Sequence, residues 1–427
     1  MAMFEREIRR AFERRLLATQ PSPDLRARLA AAVEARKSRP HAWQIAAASA
    51  GLLFVGALTF YVAIVRHSHT QVAPVVRLTP SATPSATIVP SGRWLAVNPA
   101  PAPGARGEAV MAYDAARRQV LLFGGDVRDT WTWDGRGWFK QLVSFSPPAR
   151  SKAAMAYDAA RQEVVLFGGS TPGTLLGDTW IWNGRTWIER HPSTSPSARD
   201  GAAIAYDSIR QAIVLFGGHA AAPGGGSGRP FDDTWIWDGD NWTQLHPANS
   251  PPAREMAVMA YDPGTNKAVL FGGIGVAGPE NDTWTWNGSD WVRQRSPQSP
   301  PARYFAGMAP DDGTGTVVLF GGSASAGVLS DTWTWDGRTW TEQHGPTSPP
   351  ARSAPAMAYD TANRTVVLFG GLIIGGGGRV IAFGDTWLWI GPTPLPTTPA
   401  SPSPMARSGW KTYVSARWGY SIDYPGD

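Results

Sequence analysis

The chain has 427 residues, enough for more than one domain, with 47 Gly, 37 Pro and 43% hydrophobic residues, a composition rich in turns yet able to fill a core. It contains no cysteine, which excludes disulfides, thiolate metal sites and cysteine nucleophiles. The net charge of +5 resides in residues 1–42, where ten Lys+Arg face five Asp+Glu; the remainder is neutral and carries no basic signature for nucleic acid.

Residues 1–42 read as a basic helical segment. Met3 to Leu17 and Pro23 to Arg36 form two short Arg-rich amphipathic patterns, the second capped by Ser22 with Pro23 at its first position. Residues 43–65, WQIAAASAGLLFVGALTFYVAIV, hold no charge over 23 positions, about 35 Å as a helix and enough to cross a bilayer. Arg36, Lys37 and Arg39 precede this span and only Arg66 follows at once. The positive-inside bias therefore puts the N-terminus in the cytoplasm and the rest of the chain outside. A cleaved signal peptide fits less well, because a 42-residue stretch before the apolar run is too long for one. The two helices, basic juxtamembrane stretch and single span together resemble membrane-anchored anti-sigma regulators of bacteria. That resemblance implies a cytoplasmic protein partner for residues 1–40, although the zinc-binding His/Cys pattern of such regulators is absent. Residues 66–91 are a Pro/Ser/Thr-rich linker.

Residues 92–390 contain six copies of one repeat. Each has a Gly pair (Gly124-Gly125, Gly168-Gly169, Gly217-Gly218, Gly272-Gly273, Gly321-Gly322, Gly370-Gly371) and opens with an Arg: Arg106, Arg150, Arg199, Arg254, Arg303 and Arg352. Seven residues after the Arg stands a Tyr, replaced by Pro310 in the fifth copy. A later segment such as DTWIWNGRTW (Asp178 to Trp187) recurs in five copies, and the sixth, DTWLWIG from Asp385, stops before its last Trp. Alternating runs, an apolar run ending in the Gly pair, and Asn-Gly or Asp-Gly turns predict four short antiparallel strands per repeat of 44–55 residues.

The Gly pair ending strand two, the aromatic on strand three and the Trp opening strand four resemble kelch repeats of the galactose-oxidase-like central-domain superfamily. The resemblance covers residues 92–390 and implies an all-β propeller with the first strand of each blade innermost. Each final Trp precedes the next Arg by twelve residues, and Trp94 stands twelve before Arg106. Residues 92–97 are therefore expected to supply the missing fourth strand of blade six and close a six-bladed ring. Paired Trp on strand three with a Trp opening strand four are expected to pack between blades rather than stack on carbohydrate, each removing about 150–250 Å² from water, about 4–6 kcal/mol gross.

Strand direction places the Arg, the Gly pair and the DTW Asp at one end of the ring. The interval from second Gly to that Asp varies, being 4, 9, 15, 9, 9 and 14 residues, so the long loops (His219 to Asp232, Leu372 to Gly384) belong to opposite blades three and six. That face is the expected contact surface. Its candidate ligand-binding residues are Arg106, Arg150, Arg199, Arg254, Arg303 and Arg352, with Asp200, Glu255, Tyr304, His219 and Arg229. Against an anion site, the six Arg can cancel six Asp (Asp129, Asp178, Asp233, Asp282, Asp331, Asp385) as ion pairs between blades, and this arrangement is preferred. No metal site or cofactor is expected. His191, His246 and His344 are dispersed over outer strands, His219 stands alone on its loop, and the kelch-fold copper oxidases need a cysteine-linked tyrosine.

Residues 391–408 form a second Pro-rich linker, and residues 409–427 read as a tail or a fragment of a further domain. The whole reads as a single-pass membrane protein, in the bilayer through residues 43–65, presenting a propeller that binds an extracellular protein or polysaccharide. Two other readings stay open: an extracellular glycan-active enzyme using Asp200 and Glu255, and a transmembrane regulator whose propeller senses.

Overall fold

The computed structural model describes residues 91–220, 228–374, 379–392, 410–415 and 420–425. The expected cytoplasmic helices, the span at 43–65 and the linkers at 66–90 and 393–408 lie outside them. Among the described residues no helix is long and apolar enough to cross a membrane.

Six four-stranded antiparallel sheets make up residues 93–390. Blade one runs Ala109–Asp114, Gln119–Gly124, Thr130–Trp133 and Trp138–Gln141, and blades two to five repeat that order. Blade six takes Ala356–Asp360, Thr365–Phe369 and Thr386–Ile390 from its own repeat and Arg93–Val97 from the other end. Its register, Trp94 opposite Trp389, matches the Trp133–Trp138 and Trp182–Trp187 pairs of other blades. The expected closure by residues 92–97 is present.

Composition follows distance from the axis. The first strands carry Ala and Met on their way round the channel, where space is narrow. The second strands (Val-Leu-Leu-Phe and its variants) are buried on both faces, with 0–1% exposure, which explains their unbroken apolar run. Trp fills the widening outer seams. The core is accordingly divided into six clusters, one in each seam between neighbouring blades.

The tryptophans have three separate jobs. The strand-four Trp reaches back one blade: Trp187 Nε1 donates to Thr130 Oγ1 at 2.9 Å and its ring lies 5.2 Å from Phe123. The same bond recurs from Trp138, Trp242, Trp291, Trp340 and Trp94 to Thr386, Thr179, Thr234, Thr283 and Thr332, so it runs round the whole ring. The second Trp of each DTWxW segment is fully buried against it. The first donates to the Asp two residues before it, as Trp180 does to Asp178 at 2.6 Å. Inter-blade packing is thus their structural role.

Each Gly pair makes a blade junction. The second Gly donates its N–H to the carbonyl of the next repeat's Arg at 2.9–3.0 Å, and a Cβ on the first would collide with that carbonyl. Both also have positive φ, so two independent constraints require glycine there. Residues Trp410–Ser415 and Tyr420–Pro425 form an antiparallel hairpin of their own.

Candidate functional site at the channel mouth

The six Arg lie where expected, at the end holding the blade connections, but they are 0–6% exposed and paired. Arg106, Arg150, Arg199, Arg254, Arg303 and Arg352 meet Asp129, Asp178, Asp233, Asp282, Asp331 and Asp385 at 2.5–2.7 Å. Each guanidinium also bonds carbonyls nearby; Arg254 donates to Pro252 O and Gly272 O. Their donors face the wall, and this is the ion-pair arrangement. One detail differs from expectation: both partners come from the same repeat. The Arg main chain, not its side chain, joins the preceding blade, through bonds such as Gly125 N–H to Arg150 O. Burial alone would raise the carboxyls of Asp129, Asp178, Asp282, Asp331 and Asp385, but the Arg and Trp donors outweigh it and hold them below the usual range. In the two long-loop blades the Arg is covered by a loop aromatic: Phe231 lies 3.9 Å under Arg199 and Phe383 4.2 Å under Arg352.

Two residues after each Arg the chain turns left-handed. Glu108, Lys152, Gly201, Met256, Phe305 and Ala354 all have φ between 49° and 61°. Their amides form a closed belt: each N–H donates to the equivalent carbonyl of the preceding blade, from Lys152 to Glu108 (3.1 Å) round to Glu108 to Ala354 (3.1 Å). This belt frames a mouth of about 190 Å³. Below it Met111, Met155, Ile204, Met259, Met308 and Met357 line the channel. At the far end Tyr113, Tyr157 and Tyr206 accept N–H bonds from the turns of neighbouring blades.

Around the mouth the side chains follow a pairing rule. In five of the six junctions the residue after a Gly pair meets the residue after the next blade's Arg. Asp126 accepts from Ser151 (2.5 Å), Ser170 donates to Asp200 (2.9 Å), Ser323 donates to Ser353 (3.0 Å), and Leu372 lies over Gly107. His219 and Glu255 occupy the same relation, with ligand atoms of His219, Glu255 and Asp200 within 4.8 Å of one another. The expectation that His219 stands alone is therefore corrected: it is isolated in sequence but neighbours two carboxylates in space.

Asp200 and Glu255 converge as expected. No side-chain hydrogen bond among the described residues links Tyr304 to the pair, and its ring lies 5.7 Å from that of Phe305. Arg229 is exposed on the blade-three loop, where its carbonyl accepts from Ala220. Three residues escaped sequence reasoning. Lys152 Nζ lies 3.7 Å from Asp200 and 5.8 Å from the Phe305 ring, while Glu108 and Asp126 add charge beside it. Aligning the position after each Gly pair with the position after the following Arg would have found Asp126, and the second position after each Arg gives Glu108 and Lys152. Burial pushes the Glu255 carboxyl up, His219 opposes the shift and Asp200 adds to it. Glu108 is raised by burial, against the pull of Lys152.

The molecule is a six-bladed β-propeller with a repeated Trp-Thr blade motif and one chemically irregular channel mouth. In comparison with known proteins, the chain matches no family model and no curated protein significantly.

Proposed function

We propose that this is a kelch-type propeller, held at the cell membrane by residues 43–65, that binds an extracytoplasmic protein or polysaccharide through the mouth described above. The observation supporting the reading is where the repeat fails. Five of six blades share their Trp, Thr, Arg, Asp and Gly almost unchanged, whereas the mouth carries Lys152, Asp200, His219 and Glu255 on blades two to four and Tyr304, Phe305 and Leu372 on blades five and six. Packing needs sixfold sameness; a rim charged on one side and aromatic or aliphatic on the other is the pattern of recognition. The blade-six hairpin, Leu372–Ile374 with Val380–Ala382, adds exposed Ile374, Val380 and Ile381 to that face.

The test is a screen of the detergent-solubilised full chain against cell-wall glycans and surface-protein extracts. A triple substitution, Lys152→Ala, Tyr304→Ala and Ile381→Ser, serves as the comparison. Binding reduced at least about tenfold in the variant, with unchanged melting, supports the reading. Equal binding by both proteins would move the contact surface elsewhere.

A further inference from the structure

Three side chains at the polar side of the mouth form a compact set of metal-type donors. A carboxylate oxygen of Asp200, an imidazole nitrogen of His219 and a carboxylate oxygen of Glu255 lie within 4.8 Å of one another. All three stand on paired backbone. Asp200 and His219 bridge each other, His219 also bridges Pro230, and Glu255 pairs with Ile274. Donors fixed in this way need little ordering to receive an ion.

A second, separate observation points to what is missing. The Asp200 side chain is only 7% exposed, and its two oxygens differ sharply. Oδ2 accepts from Ser170 Oγ at 2.9 Å and lies 3.7 Å from Lys152 Nζ. Oδ1 has no hydrogen-bond partner among the described residues, and it is the oxygen 3.8 Å from His219 Nδ1. That distance is too long for a hydrogen bond. Two donors bound to one tetrahedral ion at about 2.1 Å lie about 3.4 Å apart, so a shift of a few tenths of an ångström brings this pair onto a common ion. Leaving such an oxygen buried and bare is unfavourable.

We propose that Asp200, His219 and Glu255 form a binding site for one divalent transition cation of the zinc class at the channel mouth. One imidazole with two carboxylates suits zinc and its neighbours better than magnesium or calcium, which favour all-oxygen shells. Glu108 and Asp126 add negative charge nearby, while the Lys152 ammonium opposes the ion. Three protein donors leave at least one position of a tetrahedral ion for water or for a group on a bound partner. The site goes beyond the partner-binding reading and needs no partner to be filled.

The full chain in detergent, stripped with chelator, is titrated with Co²⁺ and Zn²⁺. The background carries His67→Ala and His69→Ala, since those two imidazoles are a rival source of binding. The expected result is one equivalent of Co²⁺ with visible d–d absorption, displaced by Zn²⁺. Asp200→Asn, His219→Ala and Glu255→Gln each weaken uptake at least about tenfold, Lys152→Gln tightens it several-fold, and His344→Ala, just past the outer strand of blade five, leaves it unchanged. Glu255→Gln, at the half-buried rim, decides the matter if Asp200→Asn fails to fold. No stoichiometric uptake by the parent, or uptake indifferent to all three donor substitutions, overturns the site. Either failure leaves the partner screen above unaffected.

Discussion

Arg254 shows how much one repeated residue carries. Its guanidinium holds Asp282 through two bonds of 2.5 and 3.1 Å and two carbonyls besides, with both side chains nearly sealed from water at 0% and 6%. Removing one partner strands the other. Arg254→Ala should therefore lose about 3–5 kcal/mol, and Arg254→Lys should not restore it, because an ammonium cannot bind both oxygens side by side. Acid probes the same contact. A carboxyl held below its unfolded value of about 3.9 contributes stability that is present above that pH and lost as pH falls through the lowered value. The parent should hold its melting temperature down to about pH 4 and drop below it, whereas Arg254→Ala should already melt early at pH 7 and show a shallower acid loss. Thermal melts followed by circular dichroism from pH 7 to 2.5 check both slopes.

At the scale of the strand, the telling element is Trp187–Arg190, which buries only its first residue fully yet anchors a seam. Trp187 is 1% exposed, packs on Phe123 of the neighbouring blade and donates to buried Thr130. Trp187→Ala should cost about 3–5 kcal/mol. Thr130→Val, which keeps the shape and removes only the acceptor, should cost about 1–3. Denaturant titration of both separates packing from the hydrogen bond, and equal losses would show that the bond dominates. Such strands were legible in the sequence because their residues answer to one neighbour at fixed spacing. The ion pairs were legible as a count of Arg against Asp, but not as pairs within a repeat, since spacing alone does not say which blade an Arg side chain turns toward. The belt was hidden more deeply. Glu108, Lys152, Met256, Phe305 and Ala354 are not residues that announce a left-handed turn, and only Gly201 hints at one. The meeting of His219 with Glu255 was invisible for a related reason: 36 residues separate them, and their contact exists only because the ring sets blade three beside blade four.

For the propeller as a whole, the decisive contact is between its two ends. Residues 92–97 were readable as the sixth fourth strand because Trp94 keeps the spacing of its counterparts, and in the structure Trp94 is 2% exposed and bonds Thr332 at 2.9 Å. A chain beginning at residue 99 would leave the Thr386–Ile390 edge bare and the seam with blade five without its Trp. It should melt well below the parent or associate through that edge. Melting and sedimentation of the two chains test this, and a monomeric truncation as stable as the parent would deny the strand its closing role.

That same strand is where the propeller meets the rest of the polypeptide upstream. Any tension arriving from residues before 92 enters the body at Arg93 and is carried first by five paired residues against Thr386–Ile390. Trp94 passes part of that load to blade five, where it bonds Thr332 and packs on Phe320, and blades one to four lie behind the clasp. The ring is thus a buckle whose tongue is the first strand of the body, so parting it turns a closed circle into an open ribbon from one defined point.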